Sequence, residues 1–349
     1  MLDKILGVLF AIILLVFNFY DDSRFVGNLV QSNAMLFGML YVGIIFYLIQ
    51  ENLKSALHAR LHRFMETFFR VRYFFILFFL FTLFFARDYV SFFQISYFND
   101  FTRSWFNDTF YVIRQFGYLL LVCGSLYYIH YKDKPEYAFN YLLLFILSFV
   151  FIPYSYDLLA FVQDITIRHF WQSTIWTFYT FVNLLLMFVA VMLITNSLLD
   201  KNKEFGDYTA RMSGMLFGFN ILWSYLFICQ FLIVMYGNVP SITEGYNIRF
   251  EYSWLLYQAL VMLLHLVLPF FLLFTRRSKT NSTNILMASY STIMAIMLDF
   301  MCYFVPAFSK VGISFYEYLF FIVTFVVFAI IYINSLFKNN RTAIDQNRE

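Results

Sequence analysis

Charge is the first shortage. Only 13% of the 349 residues are Asp, Glu, Lys or Arg, against about 25% in a soluble domain, while 62% are hydrophobic. A globule of this length has no core large enough to hide that much apolar surface from water. Lipid is therefore the expected solvent, and no nucleic-acid partner is expected of a chain whose formal net charge is +3. The 50 Phe and 27 Tyr are numerous, but a biased base composition can produce such counts, so they carry little functional weight.

Cysteine is scarce as well. Cys123, Cys229 and Cys302 all lie in apolar runs, and no C-x-x-C or C-x-x-C-H occurs. Iron–sulfur ligation and covalent haem c attachment are thus unsupported, and packed thiols are the expected role. The five histidines argue against haem b, which needs two imidazoles at one depth on facing helices. Only His265 lies deep in an apolar run. His58 and His62 are spaced i, i+4 and could share a metal on a helix, but no third ligand is evident, so no metal is expected. The apolar run from Ile5 to Tyr20 exits at Asp21-Asp22 without a small-residue cleavage site, and reads as an uncleaved first helix.

A membrane-crossing helix needs about 20 mostly apolar residues. Such runs fall near 4–20, 34–50, 72–87, 115–131, 139–163, 174–199, 212–236, 254–275, 283–308 and 316–337. The expected fold is an all-α, polytopic membrane protein with about ten transmembrane helices. Counting Lys and Arg, the termini and the loops after even-numbered spans hold 17 and the opposite loops hold 7. The positive-inside rule then places both termini in the cytoplasm. The two longest outer loops are 88–114 and 237–253; the first, rich in aromatics and Asp, is expected on the membrane surface or against a partner, or as an interfacial aromatic belt.

Ionisable side chains within the bilayer are costly and usually face a protein interior or cavity. Asp157 in span 5, His265 in span 8 and Asp299 in span 9 meet that description. His265 and Asp299 fall at similar depths, about 14–17 Å below the outer surface, on sequential antiparallel spans. A His–Asp contact is therefore within geometric reach. It would serve as a proton relay or a quinol-headgroup pair, or simply as a structural hydrogen bond. Span 7 adds Asn220, Ser224, Tyr225 and Gln230, and Trp223, Phe227 and Gln230 share one helical face.

Several motifs resemble one family. Trp223-Ser224-Tyr225 leading to Gln230, then Tyr236-Gly237-Asn238-Val239-Pro240, resembles W-x-Y-x-x-x-x-Q followed by Y-G-N-[IV]-P. That hallmark belongs to the second large membrane subunit of bacterial alternative complex III, in the NrfD/polysulfide-reductase membrane-subunit superfamily. His265 to Pro269 with Arg276-Arg277 resembles its G-H-F-x-x-P-F run with paired Arg. Asp299 to Pro306-Ala307-Phe308 resembles D-x-x-W-x-x-x-P-A-F, and Trp171-Gln172-Ser173-Thr174-Ile175 resembles H-W-Y-S-T-I. Asn107 to Arg114 is a weaker echo of L-N-x-x-F-x-x-R. The chain departs from these patterns at His169, one position off, at Leu264 for Gly and at Cys302 for Trp.

The resemblance implies a bacterial inner-membrane subunit of a respiratory quinol:cytochrome c or quinol:oxidase oxidoreductase. Its implied layout is a first helix and outer loop over 1–33, four-helix bundles over 34–163 and 174–308, a last helix over 316–337 and a cytoplasmic tail over 338–349. The implied partners are a sister NrfD-like subunit, subunits carrying haem c and iron–sulfur clusters, and a terminal oxidase as a further candidate. This chain would bind no redox centre itself. It would hold a quinone or quinol pocket, a proton path drawing on Asp157, His265, Asp299, Tyr225, Gln230 and Arg114, or only the scaffold. The competing readings are a secondary transporter, a lipid-linked polymer enzyme and a purely structural membrane subunit.

Overall fold

The computed structural model describes residues 22–90, 107–132, 136–160, 175–199, 207–238, 243, 252–308 and 315–346. The run at 4–20 and most of both long outer loops lie outside the described residues, as do Trp171, Ser173, Thr174 and Pro240. No strand occurs among the described residues. The helices are α1 Asp22–Asn52, α2 His58–Arg70, α3 Arg72–Val90, α4 Asp108–Tyr131, α5 Tyr137–Ala160, α6 Trp176–Leu199 and α7 Asp207–Gly237. They continue with α8 Tyr252–Met262, a π-helical turn Leu263–Val267, α9 Leu268–Leu273, α10 Ser282–Phe308 and α11 Phe315–Gln346.

Among the described residues, eight helices are long and apolar enough to cross a membrane, and a ninth crossing arises if the bent pair α2–α3 is one span. In hydrocarbon the backbone must satisfy its own hydrogen bonds, and the helix does so within one segment. The chain is an all-α, polytopic integral membrane protein.

The sequence pattern placed most of these elements to within a few residues, but α1, expected from 34 after an outer loop, begins twelve residues earlier at Asp22, and three further corrections apply. The segment after α1, expected as an inner loop, is largely the 13-residue helix α2. Its charged half disqualifies it as a span, while Leu61, Phe64, Met65 and Phe68 bury its other side. Arg72 then donates to the carbonyl of Phe69 at 2.8 Å, and α2 meets α3 at a 56° bend. Second, α4 begins seven residues early, at Asp108, because the Asn107 side chain accepts the Thr109 backbone N–H at 2.9 Å and caps the helix. Third, α11 runs on to Gln346, so most of the expected tail is helical.

The described residues form two compact units that divide within α5, at Leu147. The first unit holds α1 to α4, the start of α5, and α11, which packs on α1 and α2. Its centre is α1, where Phe25 meets Phe85 and Phe320 edge-on and the Tyr41 hydroxyl donates to the Leu147 carbonyl at 2.9 Å. The second unit holds the end of α5 and helices α6 to α10. There α6 packs between α7 and α10, and the run from α8 to α9 packs on α10. The outer faces of α7, α8 and α9 are apolar and exposed, with Ile221, Leu222, Ile228, Leu256 and Phe271 among them. Such faces suit lipid or another membrane-embedded chain.

Candidate functional site

The polar centre of the second unit begins with a disturbance in a helix. Pro269 lacks a backbone N–H and its ring crowds the carbonyl four residues back, which is that of His265. The helix widens there, and the Leu268 N–H reaches the Leu263 carbonyl in a π-type bond. His265 sits in this turn and is fully buried. Helical interruptions of this kind cluster at functional sites.

Four helices converge on the imidazole. Its Nδ1 lies 2.8 Å from Asn220 Oδ1 on α7, and its Nε2 lies 3.2 Å from Asn183 Oδ1 on α6. Asn183 donates through Nδ2 to Asp299 Oδ2 on α10 at 3.1 Å. The same carboxylate oxygen accepts the Tyr179 hydroxyl at 2.6 Å. Asn220 donates to the Leu216 carbonyl at 2.8 Å and to Thr292 Oγ1 at 3.3 Å. Trp223 covers the imidazole face-on, with centroids 3.8 Å apart and planes 9° from parallel.

The partners fix the protons. A backbone carbonyl accepts only, so Leu216 turns the Asn220 amide nitrogen toward itself and the amide oxygen toward His265. An ionised carboxylate likewise accepts only, so Asp299 turns the Asn183 oxygen toward the other imidazole nitrogen. With Asp299 ionised, both ring nitrogens face acceptors and the ring satisfies both as an imidazolium; with the proton on Asp299, the Asn183 amide turns over and the ring is neutral. A buried cation is costly unless it is paired. The Asp299 carboxylate lies one amide away, and the Trp223 face adds a cation–π contact. The result is an acid–base pair bridged by Asn183, which holds one exchangeable proton on the imidazole or on the carboxyl.

The structure thus brings His265 and Asp299 together, and the connection it shows runs through Asn183 rather than by direct contact. Asn183 and Tyr179 were missed in the sequence. They sit at i, i+4 on one face of α6, and an amide amid so apolar a run was the available signal. Gln230 is buried next to this centre and accepts the Tyr303 hydroxyl at 3.4 Å, while the Tyr303 ring packs on Trp176 and Tyr179. Asp157 is buried on α5, in the turn that also carries Ser155, whose carbonyl accepts the Trp176 indole N–H at 2.9 Å. Tyr225 stands apart, 62% exposed on the outer side of α7. Arg114 belongs to the first unit, where its guanidinium lies over the Phe110 ring at 4.8 Å.

The Tyr236-Gly237-Asn238 motif ends a helix. Asn238 takes a left-handed backbone, φ 42°, and its N–H bonds the Val234 carbonyl at 3.2 Å. Asn tolerates that conformation, so this part of the motif acts as a helix stop. Tyr236 is 85% exposed. Among the described residues no group of three His, Cys, Asp or Glu is placed to hold a metal. No protein-family model matches the chain, and no curated protein matches it.

Proposed function

We propose that this chain is a membrane subunit, without redox centres of its own, of a quinol-oxidising respiratory complex of the alternative complex III type, and that Asp299 and His265 handle a proton during turnover. The observation that carries the reading is the Asp299–Asn183–His265 bridge. It buries two ionisable groups across one amide inside a membrane helix bundle, and such groups in that setting are functional candidates by default. The motif resemblance of residues 150–310 supports the respiratory assignment, because His265 and Asp299 both lie in motif segments. Haem c and iron–sulfur clusters then belong to partner subunits, and both termini face the cytoplasm.

The interrupted helix at Leu263–Val267 favours one second reading, a secondary transporter, since transporters place substrate sites at broken helices. Purification of the chain from its native membrane in mild detergent separates the two. The respiratory reading predicts co-purifying haem c subunits, seen as c-type absorption bands, with quinol oxidation by the preparation. A chain that purifies without haem proteins and without quinol oxidation contradicts it.

A further inference from the structure

The first unit carries a second titratable cluster, at its Lys/Arg-rich end. Glu51, at the end of α1, is 3% exposed. It is met by Lys132 Nζ and by Asn140 Nδ2 at 3.0 Å. Burial lowers the Lys132 ammonium from its ordinary value, against the upward pull of its Glu51 partner. Lys132 is the counter-ion of Glu51.

Glu66, on α2, is placed differently. Among the described residues, the groups it pairs with are two imidazoles: His130 Nδ1 at 2.8 and 2.9 Å, and His62 Nε2 at 3.8 Å. The Phe69 ring stacks on His130 at 3.8 Å, and Arg72 lies over Phe69 at 4.0 Å.

The two carboxylates are connected. The Tyr47 hydroxyl donates to Glu51 Oε1 at 3.4 Å and lies 3.0 Å from His58 Nε2 and 3.2 Å from His62 Nδ1. A phenol has one proton to give. If that goes to Glu51, His62 donates to the phenol oxygen and the His58 Nε2–H is shared between that oxygen and Glu51 Oε1, 3.2 Å away, which leaves His62 Nε2 facing Glu66. Hydrogen bonds therefore join Glu51 to Tyr47, Tyr47 to His62, and Glu66 to His130, and a 3.8 Å contact between His62 Nε2 and Glu66 closes the series. Its imidazoles are about a third open to solvent, with side chains 39% exposed at His62 and 29% at His130. Its far end is the buried carboxylate.

We propose that this path is a proton-exchange site, which takes one proton from the aqueous phase at His62 or His130 and shares it across Glu66 and Tyr47 toward Glu51. The bond changes balance along the path. A proton added at His130 Nε2 makes an imidazolium, whose Nδ1 proton can pass to Glu66. Glu66 can pass it to His62 Nε2 when a side-chain rotation closes their 3.8 Å separation, and the His62 Nδ1 proton moves on to the Tyr47 oxygen as Tyr47 releases its own to Glu51. Other charges stand nearby. Lys54 lies over the Tyr137 ring at 5.2 Å, and Tyr128 donates to Asn140 at 2.9 Å. From α11, Tyr332 meets the apolar face of α2 at Phe68. None of these supplies Glu66 with a fixed cation in the contacts described.

The test uses the full chain with ¹⁵N-labelled histidine in lipid nanodiscs, titrated from pH 5 to 9 by NMR. It does not depend on the respiratory reading. A shared proton couples the two rings, so His62→Gln should shift the His130 midpoint by about half a unit or more, and His130→Gln should do the same to His62. Glu66→Gln should lower both midpoints by about one unit, because an opposite charge at this range is worth about 1–3 units. Glu66→Asp should restore most of that shift. If Glu66→Gln fails to fold, the two histidine variants make the same test. Midpoints that ignore each other and ignore Glu66→Gln, or rings that hold one state throughout, would overturn the proposal.

Discussion

Trp223 and His265 lie face to face, 3.8 Å between centroids and 9° from parallel, so the indole covers one side of a ring whose two nitrogens both point at amide oxygens. With Asp299 ionised, that arrangement requires protons on both nitrogens. With labelled histidine at pH 7, His265 should show the two similar ¹⁵N shifts of an imidazolium. One protonated and one bare nitrogen would show that the amides are turned the other way.

Asn183 should be the most sensitive residue of the cluster. Replacing it with Leu leaves both Asp299 and His265 short of a buried partner, at a cost of about 1–3 kcal/mol for each orphaned group. Tyr179→Phe removes one donor and keeps the bridge, at about 1.5–3 kcal/mol for a bond to a charged acceptor. Thermal unfolding in detergent should rank Asn183→Leu well below Tyr179→Phe. The reverse order would mean that the amide does not bridge the pair.

Orientation follows from the Lys and Arg distribution, and Arg63 on the exposed side of α2 offers a handle. In a background lacking Cys123, Cys229 and Cys302, Arg63→Cys should react with a membrane-impermeant maleimide only after the cytoplasmic side is opened. Labelling of intact cells would invert the topology.

The chain expressed without partners should show no Soret absorption. Among the histidines of the described residues, His265 is the one buried in the second unit, and its two nitrogens are committed to amides. A bis-imidazole haem spectrum from the isolated chain would contradict this.

The spans were legible because lipid demands runs of about 20 apolar residues, and a run is a local property. Helix α2 was not, since half of it is charged and its burial depends on α1, α4 and α11 packing over Leu61 and Phe68. The depth match of His265 and Asp299 was likewise local arithmetic. Their bridge was not, because Asn183 lies 82 and 116 residues from its two partners and only the bundle brings them together. The face shared by Trp223, Phe227 and Gln230 could be read from helical spacing. The same spacing turns Tyr225 some 200° from Trp223, which is where the structure leaves it, exposed.

The central claim is that the Asp299–His265 pair handles a proton when quinol is oxidised, and it is tested by Asp299→Asn in the intact purified complex. The amide keeps the size of the carboxylate and can still accept from Tyr179, so assembly should survive. Loss of the exchangeable site should cut quinol turnover, or protons released per electron, by about 100-fold in rate if the step limits turnover. Wild-type turnover with a wild-type proton yield in this variant would contradict the account.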